Sequence, residues 1–151
     1  YGSFQSDISI TLKEGNTFNA QAPEIEALKK LAGVANYCEV LEGKALLKSN
    51  DKQCISTIKG VDKNYRQLSH FDTLIKDGTF NLSKNNAVFG KGIANELQTG
   101  TNDYFNPISV YAPKRGNNSS INPEDGMNEL KIFPAGIFSI NDDKISRLEI
   151  F

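Results

Sequence analysis

The sequence is poor in the residues most often put to chemical work. Its 151 residues include one histidine, His70, two cysteines, Cys38 and Cys54, one methionine and no tryptophan. With a single imidazole, neither a histidine-based zinc site nor a Ser-His-Asp relay has a ligand or base in reserve, and the ordinary fate of a lone histidine is a surface or hydrogen-bonded position. Cys38, Cys54 and His70 taken together match no usual zinc-ligand spacing. No window holds the ~18 consecutive apolar residues needed to cross a bilayer as a helix. Residues 1–30 contain no basic region followed by an apolar core, the pattern of a signal peptide. Charge of neither sign predominates: 17 basic residues face 18 acidic ones, for a formal net charge of −1. Such a chain gathers neither phosphates nor an anionic membrane, so nucleic acid is not an expected partner.

What is present is an ordinary globular composition, 38% hydrophobic and 23% charged, with twelve glycines and five prolines. A chain of this length buries roughly 68–70% of its unfolded surface and needs neither metal nor disulfide to fold. A two-residue turn at Asn50-Asp51 would set Cys54 opposite Leu47 rather than Cys38, so two separate thiols are expected instead of a bridge. The sequence opens at Tyr1 and ends on Glu149-Ile150-Phe151, which suggests a segment of a longer protein.

Hydrophobic spacing places the elements. Ile8, Ile10 and Leu12 alternate with Ser9 and Thr11, the pattern of a strand. Pro23 at the first helical position, Glu24 and Glu26 in the first turn, Lys29 and Lys30 in the last and Gly33 beyond them mark a short helix, with Ile25, Leu28, Leu31 and Ala32 as its buried stripe. Val34–Lys48 and Gln53–Val61 read as a hairpin, with Gly43 as a bulge or close approach. A short helix around Phe71, Leu74 and Ile75, a turn at Asp77-Gly78, a strand over Ala87–Gly90 and a helix over Ile93–Leu97 follow. Pro107–Tyr111 and Leu130–Ile140 are strands, the latter carrying Pro134, which favours an edge position or a bulge. The fold class expected is therefore α+β.

The candidate sites are few. The acid pairs Glu124-Asp125 and Asp142-Asp143 sit in turn-like sequence, where adjacent carboxylates solvate a loop or cap an element rather than face each other across a cleft. Phe89-Gly90-Lys91-Gly92 lies between strand and helix but lacks a third glycine and a Gly-Lys-Ser/Thr run, so its glycines are expected to allow a sharp turn rather than to cradle phosphate. Asn-x-Ser patterns at Asn81, Asn117 and Asn118 have significance only in a glycosylating compartment. The one long polar loop, between Ala112 and Asn128, runs about 15 residues, the upper end of ordinary loop lengths. It combines Lys114 and Arg115 with Pro113, Ile121, Pro123 and Met127, the mixture of proline, arginine and methionine that partner surfaces favour. These six residues are the candidate partner-binding set. No catalytic residue, metal or cofactor is expected, and no enzymatic activity.

The order of landmarks resembles a known family. Asp7-Ile8-Ser9-Ile10-Thr11 opens it; Leu31-Ala32-Gly33-Val34 leads into Val40-Leu41-Glu42-Gly43-Lys44-Ala45-Leu46. Ile58-Lys59-Gly60-Val61-Asp62 ends the hairpin, and Ala87-Val88-Phe89-Gly90-Lys91-Gly92-Ile93-Ala94 and Ala135-Gly136-Ile137-Phe138 follow. In that order they resemble the periplasmic core domain of ABC-transporter permeases of the MacB and LolC/LolE type, the lipoprotein-releasing branch above all. The resemblance implies a two-lobed domain: a porter-like strand-helix-strand-strand lobe over residues 1–61, an inserted mixed lobe over 62–140 that contains the 112–127 loop, and over 141–151 the start of a return to the first lobe, cut short. It implies a non-catalytic domain of a dimeric inner-membrane protein of bacteria, lying in the periplasm. An ATP-binding subunit or domain would drive it, and it would contact a periplasmic carrier, lipoprotein or outer-membrane partner to release lipoprotein or export substrate. In lipoprotein-releasing members a loop just before the Gly-Ile-Phe strand is the hook that takes the carrier, and Ala112–Met127 occupies that place here. The alternative reading is a secreted or surface-anchored binding module without catalytic function.

Overall fold

A computed structural model describes residues 6–15, 17–114 and 126–140, together with the backbone of 149–150. Its elements are α1 (Pro23–Lys29), β1 (Val40–Ser49), β2 (Lys52–Val61), α2 (Tyr65–Ser69), a 3₁₀ turn (Phe71–Leu74), β3 (Ile75–Gly78), β4 (Asn86–Gly90), α3 (Lys91–Glu96), β5 (Ile108–Pro113), β6 (Met127–Phe138) and β7 (Glu149–Ile150). The α+β class is as expected. Packing divides the chain into two compact units, unit 1 (Tyr1–Leu41 and Gly60–Thr73) and unit 2 (Glu42–Lys59 and Leu74–Phe151).

Among the described residues one sheet runs through seven strands in the order β3-β6-β4-β7-β2-β1-β5, and β5 also pairs with β6, so six strands close into a ring through β6 while β3 pairs outside it. β6 makes this closure. Its first half runs antiparallel to β5, Ile108 against Ile132 through Pro113 against Met127. Its second half lies between β4, parallel, and β3, antiparallel. Alternate residues of the strands form one core: Ala45 and Leu47, Cys54, Ala87 and Phe89, Ile108 and Val110, and Ile132, joined by Ile93, Ala94 and Leu97 of the α3 segment. The period of two puts these residues on one face, and closure makes that face the interior. Each fully buried Phe, Leu or Ile contributes about 1.5–3 kcal/mol relative to exposure.

Local chemistry explains several boundaries. Between β1 and β2 the turn is Asn50-Asp51, with Asn50 at φ 51°, a left-handed conformation that asparagine tolerates. Pro134 coincides with a register shift in the β4–β6 ladder, where Ala87 faces Pro134 and Val88 faces Gly136. On its other side β6 has just left β5 and not yet met β3, so the missing N–H of proline interrupts no ladder there. The bulge expected at this proline is present, and although β6 is not an edge strand along its length, Pro134 itself is paired on the β4 side alone.

Unit 1 departs further from expectation. Ile8–Leu12 form no strand, and Ile8 is 81% exposed. Alternation makes a strand only where a neighbour supplies ladder hydrogen bonds and a surface to cover, and no described strand lies beside these residues. The helix α1 does begin at Pro23, with Glu24 and Glu26 in its first turn, but it buries none of its residues, and Leu28 and Leu31 are exposed. A polar clasp holds it instead. Lys29 Nζ donates to Glu26 Oε1 at 2.8 Å, to Glu39 Oε1 at 3.0 Å and to the Ala20 carbonyl at 3.2 Å, and it lies 4.7 Å above the Tyr37 ring. These hydrogen bonds, Glu26 first and Glu39 second, raise the lysine's pKa above its ordinary value. Asp62 closes the far side, accepting the Glu39 N–H at 3.0 Å and the Asn64 N–H at 2.9 Å. Residues 34–39 belong to no regular element, and β1 starts only at Val40. The helix expected around Phe71–Ile75 is a 3₁₀ turn that passes directly into β3, and Gly78 ends that strand instead of turning with Asp77.

Candidate functional site

The long loop joins β5 to β6, and the ladder of these two strands brings its ends together. Pro113 stands opposite Met127, and the Lys114 N–H donates to the Gly126 carbonyl at 2.7 Å, one step further out. Burial fades along this hairpin: Ile108 and Val110 are in the core, whereas Pro113, Lys114 and Met127 to Lys131 are all exposed. The ladder thus carries the chain away from the core as far as Lys114 and Gly126. Tyr111 Oη donates to Glu129 Oε1 at 3.2 Å across the stem. Met127 is 39% exposed and Leu130 55% exposed. Of the six candidate partner-binding residues, Pro113, Lys114 and Met127 are therefore together at the base of the loop. Arg115, Ile121 and Pro123 lie outside the described residues, as do both acid pairs.

The described residues weighed for chemistry lie on separate elements. His70 ends α2 in the left-handed region at φ 48°, with its side chain exposed. Its backbone carbonyl accepts from the Thr73 N–H at 3.1 Å and the Thr73 hydroxyl at 3.0 Å. Both cysteines are free. Burial pushes the Cys54 thiol up to about 11, with Glu96 as the lesser cause, and burial followed by Asp62 raises Cys38. A thiol displaced in this direction is a poor nucleophile at neutral pH. Among the described residues no group of three or more His, Cys, Asp or Glu side chains is arranged to hold a metal. In Phe89-Gly90-Lys91-Gly92 the chain leaves β4 and enters α3 at Lys91 with Gly90 at φ −64°. Neither glycine takes a positive φ, so the change from strand to helix between Gly90 and Lys91 uses dihedrals open to any residue.

No protein-family model matches the chain, and no curated protein matches it in sequence. Among solved structures it is similar to the extracellular domain of the noncanonic ABC-type transporter YknZ from Gram-positive bacteria. The TM-score is 0.53 at 16% sequence identity, over 84% of this chain. The chain spans 58% of the length of that structure. At this identity the likeness is one of fold.

Proposed function

We propose that this chain is the extracytoplasmic domain of an ABC-transporter permease and acts by contact rather than by chemistry. The observation that carries the reading is the fold shared with the YknZ extracellular domain over 84% of the chain. Fold alone does not dictate function. Here the order of sequence landmarks leads independently to the same class of transporter, and among the described residues His70, Cys38 and Cys54 join no cluster of three or more His, Cys, Asp or Glu side chains that could hold a metal. In this reading an ATP-binding subunit or domain hydrolyses ATP on the cytoplasmic side, and the domain passes the resulting motion to a substrate or partner outside the membrane. Assignment to the MacB-like, lipoprotein-releasing branch in the bacterial inner membrane rests on the sequence resemblance, with the β5–β6 loop standing where those permeases carry their hook.

Unit 1 adds support of its own. Ile8, Ile10, Leu12, Phe18, Leu28 and Leu31 all leave large apolar side chains exposed. Apolar side chains exposed in such number within one unit suit a surface that another element covers. The resemblance supplies one: the further strand and helix that complete the porter-like lobe in such permeases.

The parent gene tests the class. One apolar span of about 20 residues before the domain and three after it are expected; a signal peptide with no later span would sink the reading. Capture experiments test the loop. Lys114→Glu with Arg115→Glu should weaken co-purification of an extracytoplasmic partner from cells while moving the melting temperature by no more than about 2 °C, as surface changes do. Undiminished capture would exclude the loop as the contact.

A further inference from the structure

We propose that unit 2 carries a second recognition site, for a neutral, hydroxyl-rich ligand of the saccharide class, in a depression beside β3. The depression has a volume of about 560 Å³, within the ~300–1,000 Å³ of small-molecule sites. Its polar groups come from three separated stretches: Asp77 at the end of β3, Asn81 and Asn86 around the start of β4, and Thr101, Asn102 and Tyr104 in the connection from α3 to β5. No lysine, arginine or histidine borders it among the described residues. An anionic ligand would therefore meet one carboxylate and no counter-charge.

The donor and acceptor inventory fits hydroxyl groups, each of which both gives and takes a hydrogen bond. An asparagine amide offers a donor and an acceptor side by side in one plane, a match for neighbouring hydroxyls on a sugar ring. Local bonding fixes which atoms remain for a ligand. Asp77 Oδ2 accepts the Thr101 hydroxyl at 2.8 Å, which leaves Oδ1 as the acceptor. Asn81 Oδ1 accepts both the Ser83 N–H at 2.9 Å and the Ser83 hydroxyl at 2.7 Å, which leaves Nδ2 as the donor. Groups held in this way lose less freedom on binding than free side chains do.

The rim and the floor complete the fit. Tyr104 is 72% exposed, a large flat ring left in solvent beside three amides. The negative face of such a ring attracts the weakly positive C–H edge of a pyranose while its body covers apolar sugar carbons. Beneath lies backbone: the Thr79 N–H donates to the Ala135 carbonyl at 2.9 Å, and Gly78 and Gly136 stand opposite each other where β3 meets β6. A backbone floor without cationic groups, bordered by amides and by the rings of Tyr104 and Phe133, suits a sugar better than a phosphate or a carboxylate.

Amide-resolved NMR titration of the 151-residue chain tests the proposal. The probes are neutral oligosaccharides of glucose, mannose, galactose and N-acetylglucosamine, one sialylated trisaccharide and trialanine. A neutral saccharide should shift the side-chain amides of Asn81, Asn86 and Asn102 and the backbone from Asp77 to Asn81. Tyr104→Ala should weaken that binding about tenfold, and Asn102→Ala about three- to tenfold. Lys114→Glu, on the separate β5–β6 stem, should leave it unchanged, and the same variant reads the loop hypothesis, so the two can fail separately. Both substitutions in the depression are at exposed positions and leave the core intact. The proposal is overturned if no neutral saccharide shifts these signals at millimolar concentration, if the shifts survive Tyr104→Ala, or if the sialylated sugar or the peptide binds in preference.

Discussion

Replacing Gly78 with alanine puts the closure of the sheet to a quantitative test. Gly78 ends β3 at φ 71° and pairs with Gly136 of β6. A methyl group there would collide with the Ala135 carbonyl oxygen, while standing 2.8 Å from Thr101 Cγ2 and 3.0 Å from the Ala135 carbonyl carbon. Two of these three obstacles are backbone of a strand paired on both sides, so they cannot swing away. The left-handed conformation costs a non-glycine residue about 1–2 kcal/mol, and forcing extra volume into a packed place costs about 1–3 kcal/mol. Their sum is about 2–5 kcal/mol. Two further substitutions separate the contributions. Gly33 has φ 97° but nothing within 4 Å of the added carbon, so Gly33→Ala reads the conformational cost alone. Gly136 has no positive φ but would press its new carbon against the Thr79 backbone, with Thr79 C at 3.0 Å and Thr79 N at 3.3 Å, so Gly136→Ala reads crowding alone. Urea unfolding followed by circular dichroism should show the largest loss for Gly78→Ala, near the sum of the other two. A loss of ~3 kcal/mol lowers the midpoint by roughly 1–3 M at an unchanged slope. If Gly78→Ala unfolds within about 0.5 kcal/mol of the parent chain, the close approach of β3 and β6 is wrong.

Phe89→Ala removes a fully buried ring from the centre of the unit 2 core and should cost about 3–5 kcal/mol by urea unfolding; a loss below about 1 kcal/mol would contradict the core assignment. Cys54 makes stability depend on alkaline pH. Its thiol is raised to about 11 in the fold, so the unfolded chain, with an ordinary thiol near ~8.5, loses its proton first. Stability is full below ~8.5, falls by about 3 kcal/mol as pH rises towards ~11, and then levels. Urea midpoints at about pH 8 and about pH 10.5 should therefore differ more for the parent chain than for Cys54→Ala; equal differences would remove the thiol as the cause. Lys29→Met unfastens the clasp on α1, so hydrogen exchange at Glu26 to Lys30 should quicken while β4 and β6 keep their protection. Unchanged exchange in α1 would show that the clasp does not hold the helix.

Where one residue imposes a backbone constraint, the sequence is a good guide to this fold. Pro23 can stand only at the start of a helix, and α1 begins there. Asn50-Asp51 sets a two-residue turn that fixes the ends of β1 and β2. Pro134 lacks an N–H, and a register shift occurs at it. Failures occur where the answer depends on a distant partner. Ile8–Leu12 have the alternation of a strand and no described neighbour to pair with. Ile75–Gly78 fit a helix end and a turn locally, yet β6, some sixty positions further along the chain, supplies a ladder and makes them β3. The α1 stripe reads as core by its spacing, whereas the hold on that helix is Lys29, whose two carboxylate partners sit on either side of it in sequence, one of them beyond the end of the helix.

The two candidate sites differ in legibility for a similar reason. The β5–β6 loop is continuous in sequence, so its length and mixed composition stand out, and the stem residues Pro113, Lys114 and Met127 are brought together by the strands on either side of it. The depression is discontinuous. Asp77 lies in β3, Asn81 in the approach to β4, and Asn102 and Tyr104 in the connection from α3 to β5, where asparagine is an ordinary loop residue. A search for histidines, thiols and paired carboxylates passes over such a site, because neutral amides recognise without titrating. The scarcity of reactive residues therefore bears on catalysis alone. It leaves untouched the capacity for recognition, which here would reside in asparagine amides and an exposed tyrosine ring assembled only when β3, the start of β4 and the connection into β5 fold together.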